Sequence, residues 1–445
     1  MQTQSCINGS SGIDDTMVHI DMTYHSRILL ILTATWGLLT ASGCGSRTEQ
    51  TAEVVFWALG AEGERVARMV PEFERRHPEI SVRVQMIPWN AAHEKLLTAF
   101  AGQSLPDMCQ LGNTWIPEFT VLNAIENLTP WVARSMTIRD SSYFPGIWDT
   151  NKMDSLLFGI PWYVDTRVLF YRSDLCAKAG YTRAPESWDE WFDLSAKLKR
   201  EFPEDYAVFF STNNEWVGPV IMGIQKHSTL LKDQNTAGNF SGPEFTEAMR
   251  AFKTFFRNGW APVKTQQIVN VYQAFGEGFF SMYISGPWNI GEFSRRLPKE
   301  LQGSWMTAPL PGPEGGIGLS LAGGSSLVMF SSSKHKEAVW KFIEYLSEPA
   351  QQLELYHLTG DLPARVEAWT DSSLADNKHA AAFFVQLNHV VATPKIPEWE
   401  QIAQKVREYA ELISMDQYTV EEGVTALDRA INVILEKRRW LVYGQ

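Results

Sequence analysis

The chain has 445 residues, of which 44% are hydrophobic, enough for two or three domains with real cores. Its 51 Asp and Glu outnumber 39 Lys and Arg, and the resulting net charge of -12 argues against gripping nucleic acid or an anionic membrane through a general basic field. The 17 Trp, 13 Tyr and 24 Phe supply rings for cores and for stacking on flat ligand faces.

From Ile28 to Leu39 the sequence reads ILLILTATWGLL, shorter than the roughly 20 residues of a membrane-spanning helix and suited to the apolar core of a signal peptide. Arg27 supplies the positive flank. The stretch LTASGC, ending at Cys44, resembles the bacterial lipobox, in which a peptidase cuts before a cysteine that receives diacylglycerol; Ala41 stands where that motif usually carries Leu. Residues 1–43 are therefore expected to be a signal region, Cys44 the lipidated residue, and 44–52 a polar tether to an extracytoplasmic domain. Asp14, Asp15 and Asp21 place negative charge where a signal peptide is positive, so translation is expected to start at Met22. Secretion without a lipid is the alternative.

Next, AEVVFWALG reads as a buried strand. GERVARMVPEFERRHP sets Val66, Met69, Val70 and Phe73 on one helical face, and ISVRVQMI alternates Ile80, Val82, Val84 and Met86 with polar residues. Asn90 is expected to cap a helix that ends at Gly102, and MCQL returns as a strand. This β-α-β-α-β order predicts an α/β domain with a largely parallel sheet. Val168 to Tyr171 is another core strand; Ser187 with Glu190, and Thr419 with Glu422, are capping boxes; Pro243 opens an amphipathic helix; and Lys336 to Leu346 has Trp340, Ile343 and Leu346 on one side. Of the four cysteines, Cys6, Cys44, Cys109 and Cys176, none forms a C-x-x-C pair or a zinc spacing with His, so no metal or other cofactor is expected. Cys109 and Cys176 either pair with each other or remain buried thiols, which their apolar neighbours favour.

PDMCQLGNTWIPEF, GIPWYVDTRVLFYRSDL followed by APESWDEWFDL, FGEGFFSMYISGPW, and the stretch from APLPGPEGG to TGDLPAR stand in an order that resembles family 1 of the extracellular solute-binding proteins, the carbohydrate receptors of ABC importers. The resemblance covers almost the whole chain after the tether. It implies the type II-like periplasmic-binding-protein fold: two α/β lobes joined by crossing strands and closing on a sugar. Lobe one would take 52–163 and 318–390, and lobe two 165–314 and 395–440. The implied partners are a carbohydrate ligand, the permease subunits with their ATPase, and the membrane through the lipid anchor, with no nucleic acid; the receptor would be a monomer and not an enzyme.

Sugars are held by rings against their C–H faces and by planar polar groups on their hydroxyls. The resemblance assigns Trp288, presented by Gly286 and Pro287, as a stacking ring, and aligns Trp399 and Arg365 with further ligand contacts. It also sets Tyr163 and Asp165 on the first crossing, at the cleft floor. Asn113 and Trp115 follow a strand at the end where open α/β sheets bind ligands, and Trp216 has the polar neighbours Asn213, Asn214 and Glu215. Glu62 either accepts sugar hydroxyls or serves the start of its helix, and Gly323 and Gly324 would let backbone approach the ligand. Two other readings use the same acidic and aromatic residues: a secreted glycoside hydrolase with paired carboxylates, and a polyamine receptor of the same fold. A membrane-attached lectin without a permease is a third.

Overall fold

The computed structural model describes residues 51–210, 216–263, 268 and 270–444. The signal region, Met22, Cys44 and most of the tether lie outside the described residues, as do Asn213, Asn214 and Glu215.

The strands of two sheets are β1 (Ala52–Leu59), β2 (Ile80–Ile87), β3 (Met108–Gly112), β4 (Ile160–Asp165), β5 (Val168–Arg172), β6 (Tyr206–Phe209), β7 (Phe280–Ser285), β8 (Trp305–Ala308), β9 (Gly323–Met329) and β10 (Leu362–Pro363). One sheet has the order β10-β4-β9-β3-β1-β2, the other β8-β5-β7-β6. β1 pairs in parallel with β2 and β3, but β9 runs antiparallel to both β3 and β4, so the first sheet is mixed rather than largely parallel.

The first sheet is covered on both faces. Phe56 meets Phe342 edge-on at 5.9 Å, and Phe342 meets Phe73 at 4.7 Å, which places the Lys336–Leu346 and Val70–Arg76 helices on one face. On the other, Leu59, Ile87 and Leu111 pack with Leu96 and Phe119. The second sheet is also sandwiched, because successive β5 residues face opposite ways: Leu169 and Tyr171 join Trp191, Phe252 and Phe255, while Phe170 joins Phe293 and Trp305. Burial of such aromatic surface, at about 25 cal/mol per Å², is the main force holding each lobe.

Local signals explain most helix starts. Ser187 Oγ accepts from the Glu190 N–H at 3.1 Å, and Thr419 with Glu422 forms a complete capping box. The single helix expected over 63–77 is two, Gly60–Val66 and Val70–Arg76, because Pro71 has no N–H to donate and its ring would clash with the preceding turn. The next helix begins at Trp89, with no side-chain cap from Asn90. β2 pairs only with β1 in its sheet, which leaves Met86 46% exposed instead of buried.

The chain passes between the sheets three times. The first passage, Thr166–Arg167, is tied to the second by Ser320: its hydroxyl donates to the Arg167 carbonyl at 3.0 Å and accepts from Thr166 Oγ1 at 3.0 Å and from the Arg167 N–H at 3.2 Å. Ser320–Leu321 pairs in parallel with Val390–Val391, which leads into the third passage. Residues 379–387, placed in lobe one by sequence, touch both lobes: His379 stacks on Trp305 at 3.7 Å and Phe383 meets Phe170 at 6.0 Å, while Phe384 meets Phe144 at 5.8 Å and Trp369 at 5.3 Å. Cys109 and Cys176 are buried free thiols, and burial pushes the Cys176 thiol up to about 12.

Candidate functional site

Where the passages cross, a cavity of about 500 Å³ opens between the sheets. Nine of the residues singled out from sequence line it: Glu62, Asn113, Trp115, Tyr163, Asp165, Trp216, Trp288, Gly323 and Gly324.

Its floor is built by β4. Tyr163 and Trp162 point to opposite sides of the strand: Trp162 is fully buried, edge-on to Phe56 at 6.0 Å, and Tyr163 turns to the cavity. A buried chain of hydrogen bonds fixes the tyrosine. The Leu59 N–H donates to Gln110 Oε1 at 2.7 Å, Gln110 Nε2 donates to Tyr163 Oη at 3.2 Å, and the Tyr163 hydroxyl donates to Glu62 Oε1 at 2.9 Å. Glu62 thus both serves the first turn of its helix and faces the cavity. Burial pushes its pKa up, against the pull of a backbone N–H, Tyr163 and Trp89.

The rings come from both lobes. Trp89 and Trp115 meet edge-on at 5.8 Å beside His93, whose Nε2 is 2.6 Å from Glu118 Oε2; that bond raises the histidine's pKa. Trp216 and Trp288 stand on the second lobe at the starts of the Val217–Gln225 and Trp288–Arg296 helices. Asn113 spends its amide N–H on the Ala322 carbonyl at 2.9 Å, which ties the end of β3 to the second passage.

Two of the expected contacts lie elsewhere. Arg365 is 5% exposed and does not line the cavity; its guanidinium bonds the Thr137 and Ser347 carbonyls at 3.0 and 2.9 Å and pairs with Glu367. Trp399 is buried at 1% exposure and meets Trp216 edge-on at 5.5 Å, so it props a lining ring from behind. The two glycines line the cavity, and the strand pairing beneath it also requires them. A Cβ on Gly324, whose φ is +128°, would lie 2.3 Å from the Tyr163 carbonyl oxygen, and one on Gly323 would lie 2.9 Å from that of Asp165. Their missing side chains allow β9 to pair with β4, where the register shifts between Ser325 and Ser326.

Sequence reasoning missed Trp89, Asp361 and Thr393, and left Arg167 open. Trp89 has a signal in Gly60, whose φ is +56° and whose Cβ would lie 2.5 Å from the indole. Asp361 precedes β10, which pairs with β4 at Val164 and Tyr163. Burial, then the charge of Glu62, pushes the Asp361 carboxyl up to about 7. Arg167 bonds Asp165 at 2.5 Å and lies 4.8 Å from the centre of the Trp288 ring. The cavity therefore offers four indole rings, three carboxyl groups and one guanidinium, a set suited to stacking and to paired hydrogen bonds with hydroxyls.

A sequence model of the bacterial extracellular solute-binding proteins matches residues 57–353. The sugar-binding protein MalE of the phytopathogen Xanthomonas citri is 47% identical in sequence; its structure superimposes with a TM-score of 0.85, and the match covers 88% of this chain and 100% of that one. A galactooligosaccharide-binding protein of Bacillus subtilis is 24% identical over 82% of this chain and 86% of its own length. The diacetylchitobiose-binding protein DasA of Streptomyces coelicolor is 24% identical over 76% and 78%. By sequence and by its two-lobed α/β fold, the chain belongs to the bacterial extracellular solute-binding protein family.

Proposed function

We propose that this protein is the extracytoplasmic receptor of an ABC importer, that it is held at the membrane by a lipid on Cys44, and that it captures a di- or oligosaccharide between its lobes without chemical change. The observation that carries the reading is the composition of the cavity: Trp89 and Trp115 on one lobe face the same space as Trp216 and Trp288 on the other, with carboxyl groups among them. A sugar touching both sets of rings gains contacts only when the lobes are together, and that difference drives closure. The sugar-binding MalE of Xanthomonas citri and the oligosaccharide receptors among the relatives support the ligand class. The ligand-binding residues on this reading are the nine lining residues predicted from sequence, joined by Trp89 and Asp361.

A thermal-shift screen against mono-, di- and oligosaccharides tests it. A ligand at 100 times its dissociation constant adds about 2.7 kcal/mol of stability. Stabilisation by a sugar that is recovered intact supports the receptor, and released product overturns it in favour of a hydrolase. The carboxyl groups of Glu62, Asp165 and Asp361 favour a polyamine as the second reading; a shift with spermidine and with no sugar would select it. Replacing Cys44 by Ala should move the protein from the membrane fraction to the soluble one, and unchanged fractionation would refute the anchor.

A further inference from the structure

Trp288 lies against protein on one face of its indole and has the Arg167 guanidinium over the ring. A Cβ built on Gly286 would lie 2.1 Å from Cζ3, 2.4 Å from Cη2 and 2.7 Å from Cε3. Cη2 and Cε3 are the two bonded neighbours of Cζ3. A point that close to one ring atom and scarcely farther from both its neighbours lies above the ring plane, since an approach within the plane would leave the neighbours much more distant. The backbone at Gly286 therefore occupies one face, and this is why a glycine precedes Pro287 there. The Arg167 guanidinium lies over the ring at 4.8 Å from its centre. Both side chains line the cavity.

Arg167 is anchored both at its side chain and at its backbone. Its Nη1 bonds Asp165 Oδ1 at 2.5 Å, and its backbone carbonyl and N–H are both bonded to Ser320. The stack therefore runs from the second-lobe helix start to the hinge passage itself. Trp288 keeps 39% of its surface exposed, so the ring is not sealed into packed core.

We propose that Arg167 occupies the face of Trp288 on which a sugar must stack, so that ligand entry exchanges a guanidinium–indole contact for a sugar–indole contact and Arg167 sets the affinity of the site. The ring is competent only for the fraction of time that Arg167 is off it, and apparent affinity is reduced by that fraction. An exposed cation–π contact is worth enough to weaken binding about two- to fivefold. The proposal rests on the sugar reading of the cavity for its second half only; the covering of the ring is independent of it.

The test has two arms. Without any sugar, acrylamide quenching is compared for the full-length protein and its Trp288→Phe variant, and again for Arg167→Ala and Arg167→Ala/Trp288→Phe, so that each difference isolates Trp288. The Trp288 component should be more strongly quenched when Arg167 is absent; equal quenching overturns the cover. With the sugar found by thermal shift, Arg167→Ala should bind about two- to fivefold more tightly. Unchanged or weaker binding overturns the exchange, and weaker binding makes Arg167 a direct partner of the ligand. If no sugar binds the unaltered protein, the sugar reading fails while the quenching arm still reports. Should Arg167→Ala not fold because Asp165 loses this ion pair, Arg167→Gln keeps a donor toward Asp165 with no charge over the ring, and both arms apply to it.

Discussion

Tyr163→Phe removes one oxygen atom from the floor of the cavity and leaves its ring in place. That oxygen is the acceptor for Gln110 Nε2 and the donor to Glu62 Oε1, and Gln110 is fully buried. Without it the Gln110 amide loses its partner in a region closed to water, which costs about 1–3 kcal/mol, and Glu62 loses a donor worth about 1.5–3 kcal/mol when the carboxylate is charged. Water in the cavity can replace part of the second term but not the first, so the expected loss is about 2–4 kcal/mol. Urea unfolding followed by fluorescence should show a lower midpoint with an unchanged slope. The loss should also be less than additive with Glu62→Gln, because the two changes break the same bond. A loss under about 0.5 kcal/mol, or full additivity, would refute the claim that this chain of hydrogen bonds organises the site.

Asp361→Asn tests the electrostatics of the same wall. The carboxyl is raised to about 7 when folded, so between its ordinary range and that value the folded protein holds a proton that the unfolded chain has released. Stability from this group is full at low pH and declines as pH rises to about 7. The Asn variant should therefore be more stable than the parent at pH 8, with the gap closing below the ordinary carboxyl range; a gap independent of pH contradicts it. Gly324→Ala combines a φ of +128° with a Cβ 2.3 Å from the Tyr163 carbonyl oxygen, and should cost at least about 3 kcal/mol. Gly303, where an added Cβ meets nothing within 4 Å, is the control and should change stability by less than about 0.5 kcal/mol as Ala. Equal effects at the two positions would contradict the pairing role given to Gly324.

Helix starts were legible in the sequence wherever a side chain itself made the cap, as at Ser187 and Thr419. They were misread where backbone geometry decided: Pro71 divided a continuous apolar face, and Pro88 rather than Asn90 precedes the helix. The site was legible where residues sit on the passages or at strand ends, since topology alone brings Tyr163, Asp165 and Asn113 to the crossing. Arg365 and Trp399 could not be placed this way. A long polar side chain in DLPAR gives no sign that its guanidinium is consumed by two carbonyls, and the Trp399 ring differs from a lining ring only in lying one layer deeper. Trp89 and Asp361 needed tertiary contacts, one with Gly60 and the other through the pairing of β10 with β4.

The central claim is that a sugar draws the two lobes together over this cavity. Small-angle X-ray scattering of the purified protein, alone and saturated with the sugar identified by thermal shift, measures this directly. The account predicts a smaller radius of gyration and a shorter maximum dimension with sugar, both abolished when Trp288 and Trp115 are replaced by Ala. Scattering curves that superimpose with and without saturating sugar would contradict it.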